Sequence, residues 1–531
     1  MKKYIIFSLS LVWAVGLFAQ ADKGNSAENT VLQNVVESNI NPAILSEFLT
    51  VLASDVMEGR ETGQMGQQKA AEYIGGKFQD WGIPPVAGVG YFQPISFFTE
   101  KWYNLGLQAN GKSYDNMRDY YGIPATNRKL VDFSFKKMYF LGYGIDDPAY
   151  SDYNGNKVKG KVIIIYSGEP KGKDGNYLIS GNSTASDWSN DFRKKLLVAK
   201  EKGAAAVIII DPDIKKNISA NRNEILGGSN QMGSLENKDG IYPNNIFISS
   251  TVARDMIGGK IEKVIAQRER IENGEALKKV KITGDFEINF DKNETLLEGS
   301  NVLGYIEGSD PVMKNEVVIV TAHYDHLGKR GESIFNGADD NGSGSSTVMS
   351  VAKALQAAKD KGMGPKRSIL CMLVSGEEKG LLGSKYYVNY PIFPLENTVA
   401  DVNVDMVGRV DKKYANNPNY IYVIGSDRLS SELHTINEEQ NKQHTQLVLD
   451  YKYNDEKDPN RYYYRSDHYN FAKNNIPAIF YFNGTHDDYH KPSDTVDKIN
   501  FEKMAKIGEL VFYVTWELAN RDKRIEVDVK N

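Results

Sequence analysis

The run Val317-Val318-Ile319-Val320-Thr321-Ala322-His323-Tyr324-Asp325-His326 joins an apolar half to a polar one. An apolar, β-branched run predicts a strand from Val317 to Thr321, and the strand runs directly into two histidines and an aspartate. The pattern repeats outward from it. A helical period covers Ser345 to Ala358, strands are predicted at Ile369 to Val374, Val399 to Val404 and Ala478 to Phe482, and a long helix closes the chain from Phe501 to Asn520. Strands alternating with helices at this scale predict an α/β fold with a mixed, mostly parallel sheet flanked by helices. In such sheets functional residues gather outside the carboxyl ends of the strands.

That rule places an unusual set of side chains on one rim. The strand at 369–374 leads into Ser375-Gly376-Glu377-Glu378, the strand at 399–404 delivers Asp405, and the strand at 478–482 precedes a loop with His486 and His490. Between the first strand and its helix lies Gly337-Ala338-Asp339-Asp340-Asn341-Gly342-Ser343-Gly344, whose small residues permit a tight path and an exposed carboxylate. All seven histidines follow residue 320, so the first three hundred residues supply none. Imidazoles interleaved with carboxylates at strand ends are the ligand inventory of a two-metal hydrolase. Taken alone, the glycine-rich loop reads equally well as a helix cap; beside the other ligands the metal reading prevails.

The rest of the chain sets limits. Lys2 and Lys3, an apolar run from Tyr4 to Phe18 and Ala19-Gln20-Ala21 read as a signal peptide over residues 1–21, implying export to the periplasm or beyond. No later run approaches the ~20 apolar residues of a membrane span, so no stable membrane insertion is expected. A net charge of -5 gives no reason to propose a nucleic-acid partner. The single cysteine, Cys371, sits in a predicted core strand and reads as packing. With 531 residues, two domains are expected. Helical spacing at Pro42–Asp55 and Gln67–Trp81 assigns residues 40–130 to the start of a main domain, which resumes over 295–522. Short strands and one amphipathic helix between them make 131–285 an inserted α+β module.

The motifs T-A-H-Y-D-H (321–326), G-A-D-D-N-G-S-G (337–344), S-G-E-E (375–378), N-V-D-M-V-G (403–408) and D-Y-H-K-P-S-D-T (488–495), in this order, resemble metallopeptidase family 28, the di-zinc aminopeptidases and their glutamate carboxypeptidase relatives. The resemblance extends to A-S-D-V-M-E-G-R-E-T-G (53–63) and R-S-D-H (465–468). The middle module, with G-Y-G-I (142–145) and V-K-G-K-V (158–162), is similar to a protease-associated domain inserted into the peptidase. What the resemblance implies is the phosphorylase/hydrolase-like fold of zinc-dependent exopeptidases and a site with two zinc ions, cobalt or manganese being chemically admissible. Asp340 would bridge both metals, His323 and Asp405 would complete one site, and Glu378 and His490 the other. Asp325 would fix the ring of His323 by a hydrogen bond, Glu377 would be the general base, Tyr489 a donor to the oxyanion, and the peptide bond Asp340–Asn341 would be cis.

The function so implied is a secreted aminopeptidase acting on peptide substrates. Its alternatives are an acidic-dipeptide carboxypeptidase, for which Arg409, Arg461 and Arg465 are the candidate anchors, a glutaminyl cyclase, and an inactive receptor or scaffold. His326 and His486 are left outside the ligand set, and Asp467 with His468 are candidates to line the substrate pocket.

Overall fold

The computed structural model describes residues 28–226, 230–232 and 240–529; the leader-like segment 1–21 lies outside them. The chain divides into two compact units, one formed by Met1–Ser96 with Leu297–Asn531 and the other by Phe97–Leu296.

The first unit is built on a sheet whose strands are β1 (Val280–Ile306, of which Val302–Ile306 pairs here), β2 (Val317–His323), β3 (Ser368–Val374), β4 (Thr398–Val404), β5 (Tyr420–Ile424), β6 (Val448–Asp450) and β7 (Ala478–Phe482). Their order is β6-β5-β7-β4-β2-β3-β1. The central four, β7-β4-β2-β3, are parallel, with Thr321 opposite Asn403, His323 opposite Val374 and Val404 opposite Tyr481. β1 joins β3 and β5 joins β7 antiparallel, while β6 pairs with β5 in parallel, so the sheet is mixed and mostly parallel.

Every residue of β2, β3 and β4 is buried, because both faces are covered. Alternate residues serve opposite layers. Val318, Val320 and Ala322 of β2, with Ile369, Cys371 and Leu373 of β3, join the core that contains α1 (Pro42–Leu52), α3 (Gly344–Asp360) and α5 (Phe501–Asn520). Val317 and Ile319, with Leu370, Met372 and Val374, pack on the other side with Tyr387 and Phe471. Cys371 is a buried, unpaired thiol. Asn41 caps α1 by accepting from the Ile44 N–H, and α2 (Met65–Asp80) follows the G-R-E-T-G turn. The predicted strands and helices all form, mostly within two residues of their predicted bounds; β5, β6 and the helix α4 (Ser431–Gln440) between them are additional.

The second unit has its own core and its own sheet, in the order Val280–Ile306, Leu130–Phe140, Val162–Tyr166, Ala206–Ile210, Asn244–Ile248, Tyr120–Tyr121. The pairs from Leu130–Phe140 through Asn244–Ile248 are parallel. The unit is larger than the 131–285 module expected from the sequence. Tyr120–Tyr121 pairs with Asn244–Ile248, and Lys112–Ser113 pairs with Phe92–Ala109, which draws residues 97–130 into it.

Candidate metal centre

The ends of the four parallel strands hold the ligand-type side chains of the first unit together. His323 is the last residue of β2 and is buried. Its Nε2 lies 3.4 Å from Asp340 Oδ1 and 3.3 Å from Asp405 Oδ1. On the far side of Asp340, His490 Nε2 stands 3.0 Å from Oδ2 and 3.4 Å from Glu378 Oε2. Asp340 therefore faces two groups at once, one oxygen to each.

Local chemistry explains how the Asp340 loop takes this position. Gly337 has a positive φ of 54°, and a Cβ there would fall 2.5 Å from the His326 ring and 2.2 Å from the Asp340 carbonyl, so only glycine fits. Asn341 ties the loop to the end of β4: its side-chain amide donates to the Val404 carbonyl at 3.0 Å, and its oxygen accepts from the N–H groups of Gly344 and Met406. The Asp340–Asn341 peptide is cis. From behind, Asp494 Oδ2 accepts from the N–H groups of Asp339 and Asp340 at 2.9 and 3.1 Å.

Arg60, from the G-R-E-T-G turn, braces two of the site's loops. It is 1% exposed. Its guanidinium donates to the carbonyls of Tyr324, Leu52, Asn336 and Gly337 at 2.6 to 2.9 Å. Burial draws its pKa down to about 10, opposed by Asp340, Asp325, Asp494 and Glu378, so it keeps its charge at neutral pH.

The supporting contacts differ in one respect from the sequence expectation. His323 Nδ1 lies 3.1 Å from the main-chain carbonyl of Asp325, while the Asp325 carboxylate stands back at 3.8 Å. A carbonyl can only accept, so Nδ1 carries a proton and the ring is oriented with Nε2 toward the carboxylates of Asp340 and Asp405. The Asp325 carboxylate instead accepts from the Thr62 hydroxyl at 2.7 Å and from the Glu377 N–H at 3.1 Å, and so fixes the backbone of Glu377. Ser466 donates to Asp405 Oδ2 at 2.7 Å and accepts from Asn403.

Charge is concentrated here. Burial and the carboxylates of Glu378, Asp405 and Asp467 push Glu377 well above the usual carboxylate range, against the pull of His323. Burial and Asp340 also push Glu378 up, but hydrogen bonds from His326 and His490 outweigh them and hold it at about 2. His490 is raised to about 10, the carboxylates of Asp340 and Glu378 overcoming its burial. Asp405 Oδ1 is a buried oxygen without a hydrogen-bond partner. Among the described residues, two sets fit a metal ion by the spacing of their ligand atoms: His323 with Asp340 and Asp405, and His326 with Asp340 and Glu378. An excess of buried carboxylates over imidazoles, one with an orphaned oxygen, is a donor set that divalent cations would neutralise.

His326 is the residue that the sequence reading set aside. It is buried, and its Nδ1 lies 2.8 Å from Glu378 Oε1, so it competes with His490 for the second set or holds Glu378 for it. Its place in H-Y-D-H, three residues beyond a ligand and just past the strand end, was the available signal. His486 Nε2 lies 3.1 Å from Asp339, away from the ligands. Asp467 and His468 do not line the pocket. Both are fully buried, Asp467 accepting from Ser384 and His468 stacking on Phe480. Tyr489 stacks on the His490 ring at 3.8 Å and faces the same cavity as Glu377, with Met406, Phe480 and Phe482.

A probable leucine aminopeptidase of Arthroderma otae is 31% identical over 39% of this chain and 56% of its own length. Aminopeptidase YwaD of Bacillus subtilis is 26% identical over 48% of this chain and 51% of its own length. The chain thus spans about half the length of the curated relatives it matches. Among solved structures, an aminopeptidase from Aneurinibacillus sp. strain AM-1 aligns over 94% of this chain and 98% of its own, with 18% identity and a TM-score of 0.49. Residues 301–515, which hold every candidate ligand, match the model of peptidase family M28.

Proposed function

We propose that the protein is a zinc-dependent exopeptidase, an aminopeptidase that removes N-terminal residues from peptides with two metal ions in the site. The observation that carries this reading is Asp340, whose two oxygens face separate imidazoles, His323 at 3.4 Å and His490 at 3.0 Å. His323, Asp340 and Asp405 would hold one ion; Asp340, Glu378 and His490 the other. Bound zinc would supply Lewis acidity, lowering the pKa of a water and polarising a carbonyl.

The chain's own groups do the rest. Glu377, 3.8 Å from His323 Nε2 and lining the cavity, takes a proton from the attacking water and returns it to the leaving amine. Asp325 keeps Glu377 in place through its N–H. Burial, with Asp340 and Glu378, raises the Tyr489 hydroxyl, so it stays protonated and donates to the oxyanion as charge develops.

The second unit fits an inserted protease-associated domain. Export to the periplasm or outside the cell rests on the leader-like residues 1–21; in the described residues no helix is long and apolar enough to cross a membrane. The test is hydrolysis, by the purified metal-loaded protein, of aminoacyl peptides against the same peptides N-acetylated. Cleavage of free-amine peptides alone supports the aminopeptidase. Preference for blocked peptides moves the assignment to a carboxypeptidase, and metal binding with no turnover to a scaffold.

A further inference from the structure

Three arginines lie near the site in sequence, and the structure separates them. Arg409 is committed to Asp488 at 2.9 Å and approaches Asp494 at 3.6 Å. Arg461 lies over the Tyr464 ring. Arg465 alone lines the cavity that holds His323, Asp340, Glu377 and Asp405. It makes no ion pair among the described residues. Its guanidinium carbon stands over the Tyr462 ring, 4.9 Å from the centroid, and one nitrogen reaches the Tyr489 hydroxyl at 3.5 Å.

Its backbone is also well placed. The next residue, Ser466, is buried and bonded to Asp405, so the base of the Arg465 side chain is tied to a candidate ligand. With no carboxylate partner among the described residues, the guanidinium keeps N–H donors for a planar anion in the cavity, the chemistry that matches a carboxylate. Met406, Phe480 and Phe482 beside it supply apolar wall but no competing anion.

We infer that Arg465 is a specificity residue that binds a carboxylate of the substrate, so that peptides carrying one near the scissile bond are preferred. Two sources present that chemistry: the terminal carboxylate of a dipeptide, and the side chain of an N-terminal acidic residue. This inference rests on the aminopeptidase reading above.

The test uses the full metal-loaded chain and four substrates, Leu-Ala, Leu-Ala amide, Glu-Ala amide and Gln-Ala amide. Two ratios of kcat/KM are formed within each enzyme, acid over amide and Glu over Gln, for the wild type, Arg465→Met, Arg465→Gln and Arg465→Lys. A charge-assisted hydrogen bond predicts that one ratio falls about 10- to 100-fold in both neutral variants and partly recovers in Arg465→Lys. A fall in acid over amide assigns the terminal carboxylate; a fall in Glu over Gln assigns the side chain. Ratios equal to those of the wild type in both neutral variants overturn the inference and leave the aminopeptidase reading standing. A wild type that binds metal yet cleaves none of the four overturns that reading and the inference with it.

Discussion

Replacing Arg60 by methionine should damage both stability and metal binding, although Arg60 touches no ligand atom. Methionine fills most of the volume and removes every donor. The carbonyls of Leu52, Tyr324 and Asn336 then lose their partner, while that of Gly337 keeps the Gly342 N–H. An orphaned buried acceptor costs ~1 to 3 kcal/mol. Taking the low end for each of the three, since a carbonyl near a polar site recruits water, the sum is about 3 kcal/mol. This falls in the ~3 to 5 kcal/mol range for breaking one side of a buried charged contact, and is large beside a typical total stability of ~5 to 15 kcal/mol. The same carbonyls belong to the loops that present His323 and Asp340, so zinc affinity should also fall about 10- to 100-fold. Arg60→Lys, with fewer donors and no planar fork, should recover less than half of the loss. The assay is chemical denaturation of the chelated and zinc-loaded proteins, with zinc affinity from a competing chelator. A chelated Arg60→Met within about 1 kcal/mol of the wild type, with unchanged zinc affinity, would refute the bracing role.

Further consequences concern other parts of the molecule. Glu377→Gln keeps the shape and removes the base, so kcat should drop about 10²- to 10⁴-fold while metal content, measured on the same sample, stays that of the wild type. Ser466→Ala frees Asp405 Oδ2 of its donor, and a competing-chelator titration should show one metal bound about 10-fold more weakly. Lys195, in the second unit, is buried, and burial lowers its pKa from 10.5 to about 7 against the attraction of Asp152 and Glu169. Between pH 7 and 10.5 the unfolded chain holds a proton that the native one lacks, so this group makes stability rise with pH there, by at most ~1.4 kcal/mol per unit. Urea midpoints at several pH values should show that slope reduced in Lys195→Met; an equal slope in the variant contradicts the shift.

What the sequence made legible follows from range. The parallel strands announce themselves because strands buried on both faces are continuous apolar runs, as in Val317–Thr321 and Ala478–Phe482. Their carboxyl ends place His323, Glu377, Glu378 and Asp405 without any knowledge of tertiary contacts. The exits of β2 and β3 are legible for the same reason. Less legible was anything that depends on distant pairing. Arg60 meets Tyr324 and Gly337 across 264 and 277 positions, and a charged residue in a turn carries no mark of being buried. The Asp325 contact went to the main chain because a carbonyl two residues along reaches Nδ1 at shorter range than the side chain does. The start of the second unit was misplaced because Phe92–Ala109 alternates buried with exposed residues and includes charged ones, so its pairing shows only in the folded chain. His326 was discounted because the ligand set looked complete without it, whereas the strand exit turns its ring onto Glu378.

The central claim is that one carboxylate serves two metals, and calorimetric titration of the chelated protein with zinc tests it most directly. The account predicts two equivalents in the wild type, one tight site lost in Asp405→Ala, and both sites lost or strongly weakened in Asp340→Ala, because its oxygens face His323 and His490 separately. An Asp340→Ala protein that keeps one site at wild-type affinity would contradict it.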